Sequence, residues 1–417
     1  MNDTIYALSS GALPAGIAVV RVSGPEAFAA LQSLSPELPR PRVATLRTLR
    51  GPDGVIDRAL VIAFPGPASA TGEDIVEFHL HGGVAVVAAL FAGLDRTGAR
   101  LARPGEFTRR AFDAGRLDLT QVEGLADLIA AETEGQRRVA LRQAAGDLRT
   151  LVDGWRDRLI DMLASVEAGL DFADEGDVGE HADDLPIAAL LAEIDAELVR
   201  AGQARALRDG LTIVVSGPPN AGKSSLVNML ARREVALVSP VAGTTRDAVE
   251  VRLQFGGVLV TLVDTAGLRD TEDALEAAGV ARARARAATA DLVLALYCEG
   301  EPGEGVAVRT KSDLGGYGPG IAVSSVTGAG INELEGWLRD WVLRTASPTA
   351  AGLLAQQRVR EACSQARDEL NDAASQDDPV LRAEALRLSL RALGEITGAN
   401  SVEAVLDAVF TRFCIGK

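Results

Sequence analysis

The segment from Gly217 to Ser225 places the strongest constraint on how this chain folds. It reads G-P-P-N-A-G-K-S-S, follows an apolar run from Leu211 to Val215 and precedes a second apolar run that starts at Leu226. A strand, a glycine-containing loop that ends in Lys-Ser, and a helix are the parts of a phosphate-binding P-loop. Glycines allow backbone N–H groups to turn toward a polyphosphate at the positive end of the helix dipole. The segment therefore predicts a nucleotide-binding domain, in which Lys223 contacts the terminal phosphates and Ser224 binds Mg²⁺.

Composition limits the class of protein. With 417 residues the chain is too long for one ordinary hydrophobic core, which predicts two or three domains. Its formal net charge of −16 argues against a general nucleic-acid coat protein. The cysteines Cys298, Cys363 and Cys414 have no C-x-x-C spacing, so neither a disulfide framework nor a zinc site is indicated. The first residues lack a signal-peptide pattern and no apolar run reaches membrane-spanning length, so we expect a cytoplasmic protein without membrane contact.

Hydrophobic periodicity divides the chain into four segments. Residues 1–117 alternate short apolar runs with turn signals, which predicts an α+β domain. Residues 118–207 and 346–417 carry apolar positions three and four residues apart, which is typical of packed helices. Residues 208–345 alternate strand and helix patterns around the P-loop, which predicts an α/β domain with a mostly parallel sheet. The expected fold is therefore multidomain, with the α/β domain inserted between two halves of one all-α helical domain.

Two further motifs follow the P-loop in the order expected of a Ras-like GTPase domain. Thr244 and Thr245 lie in a G-T-T-R-D segment, where a switch threonine completes Mg²⁺ coordination and senses the γ-phosphate. An apolar run then ends in D-T-A-G at residues 264–267, which supplies a carboxylate for the Mg²⁺ side and a glycine N–H for the γ-phosphate. Three motifs in this order predict GTP hydrolysis.

The motif that reads guanine departs from its usual form. GTPases usually use Asn-Lys-x-Asp, whereas this chain has Thr310-Lys311-Ser312-Asp313. Asp313 keeps the carboxylate that accepts the guanine N–H donors, so we expect guanine to be preferred over adenine, with a weaker affinity. The residues expected to contact GTP are Asn220, Ala221, Gly222, Lys223, Ser224, Ser225, Ser239, Thr244, Thr245, Asp264, Thr265, Ala266, Gly267, Lys311, Asp313 and Ser324.

The glutamine that orients water in Ras-type enzymes is missing from this chain. Leu268 occupies the position after Gly267, and a leucine side chain cannot orient water. Either hydrolysis is very slow or another group takes this role. Glu276 is a candidate, and a solvated carboxylate on a helix face is the alternative interpretation of that residue.

Motifs outside the nucleotide domain resemble one family. They are G-E-D at residues 72–74, H-G-G at 81–83, R-P-G-E-F-T at 103–108, L-D-L at 117–119 and the ending F-C-I-G-K at 413–417. With the P-loop and the threonine segment, they make the whole chain similar to the MnmE (TrmE) family of bacterial tRNA modification GTPases. The resemblance implies a homodimer that works with the flavoprotein MnmG. Together these proteins add an aminomethyl or carboxymethylaminomethyl group to C5 of the wobble uridine of certain tRNAs.

The resemblance also implies a folate site in the N-terminal domain, which would contribute to dimerisation as well. The one-carbon unit would come from a 5-formyl- or methylene-tetrahydrofolate. The family's site residues match Arg21, Glu77, Arg116 and Lys417 of this chain. The family often has Lys at the third of these positions, and Arg keeps the charge with a different geometry. Without the resemblance, each of the four is an ordinary surface charge.

A further implication of the resemblance is activation by K⁺, which takes the place of an arginine finger while nucleotide domains pair across the dimer. Glu276 matches the family's water-positioning glutamate and would act together with Lys223. The expected metal ligands are Asn220, Ser239, Val241 and Thr244 for K⁺, with Ser224 and Thr245 for Mg²⁺.

The cysteine of the C-terminal Cys-Ile-Gly-Lys has two interpretations. Cys414 is a candidate catalytic or positioning residue near the one-carbon chemistry, and a structural role in the helical domain is the alternative. The ending superficially fits a C-a-a-X prenylation box, but its final Lys and the lack of an upstream basic cluster argue against lipidation.

One segment departs from the family. Residues 298–309 are shorter than the corresponding segment usually is, so we expect a helix of the nucleotide domain to be absent and nucleotide affinity to be weakened. Two other functions remain open from the sequence. One is a GTP-dependent assembly switch that acts on ribosomal RNA, because related GTPases share the nucleotide motifs. The other is a degenerate nucleotide domain that serves only as a scaffold.

Overall fold

A computed structural model describes residues 3–171, 186–233, 250–264, 290–347, 352–398, 403–411, 413, 415 and 416. The chain forms two compact units, one of residues 1–126 with 394–417 and the other of residues 127–393. Each unit contains a six-stranded sheet. The expected combination of an α+β domain, packed helices and an α/β domain is confirmed. No helix in the described ranges is long and apolar enough to cross a membrane.

The N-terminal unit is built on a mainly antiparallel sheet in the order β3-β4-β5-β2-β1-β6, in which only the β1–β6 pair is parallel. Its strands are β1 Ile5–Leu8, β2 Ala15–Ser23, β3 Thr45–Gly51, β4 Gly54–Phe64, β5 Ile75–Gly82 and β6 Arg100–Leu101. Its helices are α1 Ala27–Leu34, α2 Val84–Asp95, α3 Glu106–Asp113, α4 Leu119–Ala130, which ends just beyond the unit, and α12 Glu403–Phe410.

One face of this sheet forms the hydrophobic core of the domain. Val20 and Val22 on β2 pack with Phe78 and Leu80 on β5 and with Leu90 on α2, and all five side chains are buried. Side chains alternate between the two faces of a strand. The residues between them on β2 and β5 therefore point to the opposite face, which carries Arg21 and Glu77 of the candidate folate site.

The second unit combines helices with a mainly parallel sheet in the order β12-β11-β10-β7-β9-β8, in which only β8 and β9 are antiparallel. Its strands are β7 Leu211–Ser216, β8 Glu250–Phe255, β9 Val258–Asp264, β10 Leu292–Tyr297, β11 Val306–Arg309 and β12 Ile321–Ala322. Its helices are α5 Glu134–Ala144, α6 Asp147–Asp171, α7 Ile187–Asp209, α8 Lys223–Arg233, α9 Ile331–Thr345, α10 Gln357–Ser375 and α11 Pro379–Thr397, the last of which ends just beyond the unit.

The connection between β10 and β11 is unusually short for parallel strands. Residues 298–305 contain no helix, as expected from the sequence, whereas parallel strands are normally joined by a dozen or more residues. The strands still pair in register from Leu294 with Val306 to Tyr297 with Arg309. The short connection requires glycine at Gly305, because a Cβ there would lie 2.5 Å from the carbonyl oxygen of Val293.

Candidate functional sites

The P-loop occupies the turn between β7 and α8, as predicted. Gly217 has a φ of 147°, and a Cβ at this position would lie 2.2 Å from the carbonyl oxygen of Leu296. The loop can therefore cross the end of the sheet only with glycine at that position. Asn220 adopts a left-handed conformation with a φ of 63°, which asparagine tolerates better than most residues.

Lys223 folds back over the loop that it follows. Its buried Nζ donates hydrogen bonds to the carbonyl oxygens of Gly217 and Pro218, both at 2.9 Å. Burial lowers the pKa of this ammonium group, and the negative charge of Asp264 opposes that shift. The ammonium group is therefore held at the mouth of the phosphate-binding loop.

Ser224 and Asp264 meet directly at the expected Mg²⁺ position. The Ser224 hydroxyl donates a 2.6 Å hydrogen bond to Oδ2 of Asp264, and the Asp264 side chain is buried at the end of β9. The parallel pairing of β7 with β9 places Asp264 beside Val215, next to the start of the P-loop. A hydroxyl and a carboxylate are the oxygen ligands that Mg²⁺ prefers, so the described part of this site fits the ion.

Several predicted site residues lie outside the described residues. They are Ser239, Val241, Thr244, Thr245, Thr265, Ala266, Gly267 and Glu276 of the nucleotide domain, together with Cys414 and Lys417 at the C-terminus.

The guanine-recognition segment lies at the end of the sheet beside the P-loop. Thr310 is buried, and both its backbone N–H and its hydroxyl donate to the carbonyl oxygen of Tyr297, at 2.8 and 3.1 Å. Its Cβ lies 4.0 Å from the position that a Cβ would take on Gly222. The Thr310 hydroxyl thus ties the loop to β10, while Lys311 and Asp313 are exposed.

Ser324 stabilises the second loop at this end of the sheet. Its buried Oγ accepts hydrogen bonds from the backbone N–H groups of Val326 at 3.2 Å and Thr327 at 3.1 Å. The backbone N–H of Ser312 donates to the carbonyl oxygen of Val323 at 3.1 Å and so joins this loop to the guanine-recognition segment. The structure therefore brings both expected base-contacting loops together.

Arg21 and Glu77, two of the four expected folate residues, form a pair across β2 and β5. The Nε and Nη2 atoms of Arg21 donate to Oε1 of Glu77 at 3.0 and 2.8 Å. The guanidinium carbon of Arg21 also lies 5.8 Å from the centre of the Phe107 ring. A salt bridge and a cation–π contact therefore fix the Arg21 side chain.

Arg116 also lies near this end of β2, beside the loop that contains Gly72. Its Cγ lies 3.7 Å from the position that a Cβ would take on Gly72. The residues on either side of that glycine, Thr71 and Glu73, both hydrogen-bond the hydroxyl of Ser23. Ser23 lies two positions beyond Arg21 on the same strand. The exposed Arg116 side chain therefore belongs to the neighbourhood of the Arg21–Glu77 pair.

The C-terminal residues lie against the N-terminal domain. Ile415 forms a bridge with Pro104, and the hydroxyl of Ser9 donates to the carbonyl oxygen of Gly416 at 2.8 Å. Ser9 follows β1, in which Ala7 pairs with Arg21. Gly416 is thus held beside the end of β1, the strand that pairs with Arg21.

The sequence interpretation missed His79, which lies on β5 two residues after Glu77. Its Nε2 is 3.5 Å from Oε2 of Glu77, is buried, and has no hydrogen-bond partner among the described residues. Period-two alternation along β5 puts Glu77 and His79 on one face, and this signal could have identified His79.

A charge cluster around the buried side chains of Arg110 and Glu106, which the sequence interpretation also missed, explains two of the motifs. The side chain of Arg110 pairs with Asp3, Glu73 and Glu106, and Arg100 pairs with Asp3 and Glu106 as well. Burial opposes ionisation of Glu106, but hydrogen bonding by Arg100 and the charges of both arginines outweigh it and lower the pKa of that carboxyl group. The G-E-D and R-P-G-E-F-T motifs therefore converge on one structural network.

Comparison with known proteins gives matches over the whole chain. Residues 4–116 match the family described as "GTP-binding protein TrmE N-terminus", and residues 119–414 match the family described as "MnmE helical domain". The chain is similar to the tRNA modification GTPase MnmE of Bradyrhizobium sp. (strain ORS 278), with 49% identity over 100% of this chain and 99% of the relative. The protein of the same description from Azorhizobium caulinodans is 50% identical over 100% of this chain and 99% of its own length. Among solved structures, the G domain of the T. maritima FeoB iron transporter is 23% identical, covers 31% of this chain and 98% of its own, and has a TM-score of 0.24, which is too low to carry an argument.

Proposed function

The chain belongs to the MnmE family of tRNA modification GTPases, and from this premise we propose a Mg²⁺-dependent, K⁺-activated GTPase that acts in wobble-uridine modification. With MnmG it would add a carboxymethylaminomethyl or aminomethyl group to C5 of the wobble uridine of certain tRNAs. The observation that supports the GTPase most directly is the hydrogen bond between Ser224 and Asp264 beside the P-loop lysine. A hydroxyl, a carboxylate and an ammonium group therefore lie close together. These are the groups that a nucleoside triphosphate and its Mg²⁺ require.

In the proposed reaction the residues of this chain bind and orient GTP. Mg²⁺ on Ser224 and Thr245, with K⁺ on Asn220, Ser239, Val241 and Thr244, would supply positive charge to the β- and γ-phosphates. Lys223 would exchange its bonds to the loop carbonyls for phosphate oxygens, because a buried ammonium group favours an ionic partner. Glu276 would orient the attacking water in place of the missing glutamine.

Nucleotide affinity is proposed to be weaker than in relatives that have the usual motif. The hydroxyl of Thr310 donates a hydrogen bond to the carbonyl oxygen of Tyr297, and the short Thr310 side chain does not extend beyond this hydroxyl. An Asn side chain extends further and has both a donor and an acceptor. Asp313 would still select guanine, because its carboxylate accepts from the N–H donors of that base.

The N-terminal unit is proposed to bind a 5-formyl- or methylene-tetrahydrofolate. Arg21, Glu77, Arg116 and Lys417 offer three cations and one carboxylate, which suit a folate with its glutamate tail. The fit is supported by the buried Nε2 of His79 beside Glu77, which has no hydrogen-bond partner within the described ranges, since a ligand can supply that partner. The folate would supply the one-carbon unit, and Cys414 would act in catalysis or positioning beside it.

The proposed assembly is a cytoplasmic homodimer with paired nucleotide domains, bound to MnmG and acting on tRNA without membrane contact. The net charge of −16 indicates that tRNA contact depends strongly on the partner protein.

The test of the proposed GTPase is hydrolysis by the purified full-length protein in K⁺ buffer and in Na⁺ buffer, beside a Glu276→Ala variant. We expect fast turnover in K⁺ alone, and its loss in the variant. Equal, very slow turnover in both salts would contradict the proposal and favour a scaffold role.

The tRNA function needs a separate measurement. Deletion of the gene should remove the modification from the wobble uridine of purified tRNA, and expression of the protein should restore it. Intact modification together with accumulated ribosomal precursors would contradict the proposal and favour an RNA assembly switch.

A further inference from the structure

Among the described residues, hydrogen bonds reach only one of the two oxygens of the Glu77 carboxylate. Both hydrogen bonds from Arg21 go to its Oε1 atom. The other oxygen, Oε2, faces Nε2 of His79 at 3.5 Å, which is longer than a normal N–H···O hydrogen bond. A carboxylate acceptor and an imidazole nitrogen therefore lie side by side without satisfying each other.

A buried imidazole nitrogen without a hydrogen-bond partner lowers the stability of the folded protein. Nε2 of His79 is buried and has no hydrogen-bond partner in the described part of the chain. Buried polar atoms nearly always have a partner, and an exception calls for an explanation. A ligand that brings its own acceptor to Nε2 and its own donor to Glu77 would satisfy both groups together.

The surroundings suit a flat heterocyclic ring. His79 pairs with Val19 on β2 and with Leu60 on β4, and Glu77 pairs with Ile62 on β4. Residues directly opposite in a sheet share its face, so apolar side chains flank the two polar ones. None of the three apolar side chains is fully buried. This face therefore combines apolar contact area with one acceptor and one donor.

That combination matches the edge of a 4-oxo pyrimidine ring. In tetrahydrofolate the N3–H donor lies next to the C4 oxygen acceptor. N3–H would donate to Oε2 of Glu77, and the C4 oxygen would accept from Nε2–H of His79. A 4-amino analogue has a donor at C4 and lacks the proton on N3, so the same pose would set donor against donor.

We propose that His79 is a specificity-determining residue that selects 4-oxo folates over their 4-amino analogues. This inference rests on the proposed folate function of the same site.

The test compares two ligands that differ only at C4. Isothermal titration calorimetry of the full-length protein measures the Kd of tetrahydrofolate and of tetrahydroaminopterin. The wild-type protein should prefer tetrahydrofolate by about tenfold, the effect of one well-placed hydrogen bond and its mismatch. His79→Leu should lower this preference to the part that the contact between N3 and Glu77 provides, whereas His79→Gln should keep most of it because its amide N–H replaces the donor.

Two controls separate specificity from damage to the fold. His81→Leu changes the next histidine on the strand. The His81 side chain is 77% exposed and its Nδ1 is hydrogen-bonded to Asp57, so this variant should keep the wild-type preference. All variants should keep the wild-type circular dichroism spectrum, and His81→Leu should also keep the wild-type rate of GTP hydrolysis.

The outcomes are distinguishable. If the wild-type protein binds neither ligand, the proposed folate function itself fails. If it binds tetrahydrofolate but shows no preference, or if His79→Leu keeps the preference, the assignment to His79 is wrong. Equal loss of preference in His79→Leu, His79→Gln and His81→Leu would also overturn it, because the effect would then belong to the strand as a whole.

Discussion

The backbone N–H of Gly135 donates a 3.0 Å hydrogen bond to the carbonyl oxygen of Gly257. Gly135 lies in the first turn of α5, and Gly257 lies at the tip of the β8–β9 hairpin. The far end of β9 carries Asp264, which bonds the P-loop serine. One hairpin therefore links the helical part of the chain to the Ser224–Asp264 contact of the nucleotide site.

The contact at the hairpin tip predicts an intolerance to any side chain at Gly135. A Cβ there would lie 2.6 Å from the carbonyl oxygen of Gly257, so Gly135→Ala must push the hairpin away and break the hydrogen bond. We expect a loss of about 1–3 kcal/mol in the free energy of unfolding, measured by urea denaturation.

A second glycine provides the matched control. Gly154 lies inside α6 and is exposed, and no atom of the described residues lies within 4 Å of the position that a Cβ would take there. Gly154→Ala should raise stability by about 0.5–1 kcal/mol because alanine has the higher helix propensity. Equal effects of the two substitutions would show that the hairpin contact contributes nothing.

Local patterns predict one part of this molecule and long-range geometry determines the rest. The P-loop is predictable because strand, loop and helix lie within about twenty consecutive residues, and its lysine and serine lie where the motif places them. The partners of Gly135 and Thr310 are not predictable, because the first contact joins residues far apart in sequence and the second depends on where β10 ends. His79 lies between these cases. Strand alternation gives its face, but only the structure shows that its Nε2 is buried and has no partner in the part of the chain that is described.

The Ser224–Asp264 hydrogen bond predicts a specific loss of Mg²⁺-dependent activity. Ser224→Ala removes a hydroxyl ligand and leaves the Asp264 carboxylate without this donor. We expect GTP turnover to fall by about 100-fold or more, with a higher Mg²⁺ concentration needed for half-maximal activity. Asn228→Ala, on an exposed position of the same helix, should leave both quantities unchanged. Normal Mg²⁺ dependence in Ser224→Ala would refute the assigned role.

Replacement of Thr310 tests the proposed cause of weakened nucleotide binding. Thr310→Asn restores the usual motif and places a longer side chain beside Gly222. If Thr310 limits affinity, the Kd of a fluorescent GDP analogue should fall by about tenfold, the effect of about one hydrogen bond. An unchanged Kd would instead attribute the weak binding to the connection at residues 298–305, which lacks a helix.

The charge cluster around Arg110 predicts a pH-dependent contribution to stability. The pKa of Glu106 is lowered below its ordinary value of 4.5, so the folded state favours its ionised form. Its contribution is therefore fully present above about pH 4.5 and is lost as the pH falls through the lower pKa of the folded protein. At pH 7, Glu106→Gln should lower the free energy of unfolding by about 3 kcal/mol, because it removes the most buried of the carboxylates that pair with Arg100 and Arg110. The difference in the free energy of unfolding between wild-type and variant, measured by urea denaturation, should then shrink as the pH is lowered below 4.5. A difference that stays constant from pH 7 to pH 3 would show that Glu106 acts through packing and not through its charge.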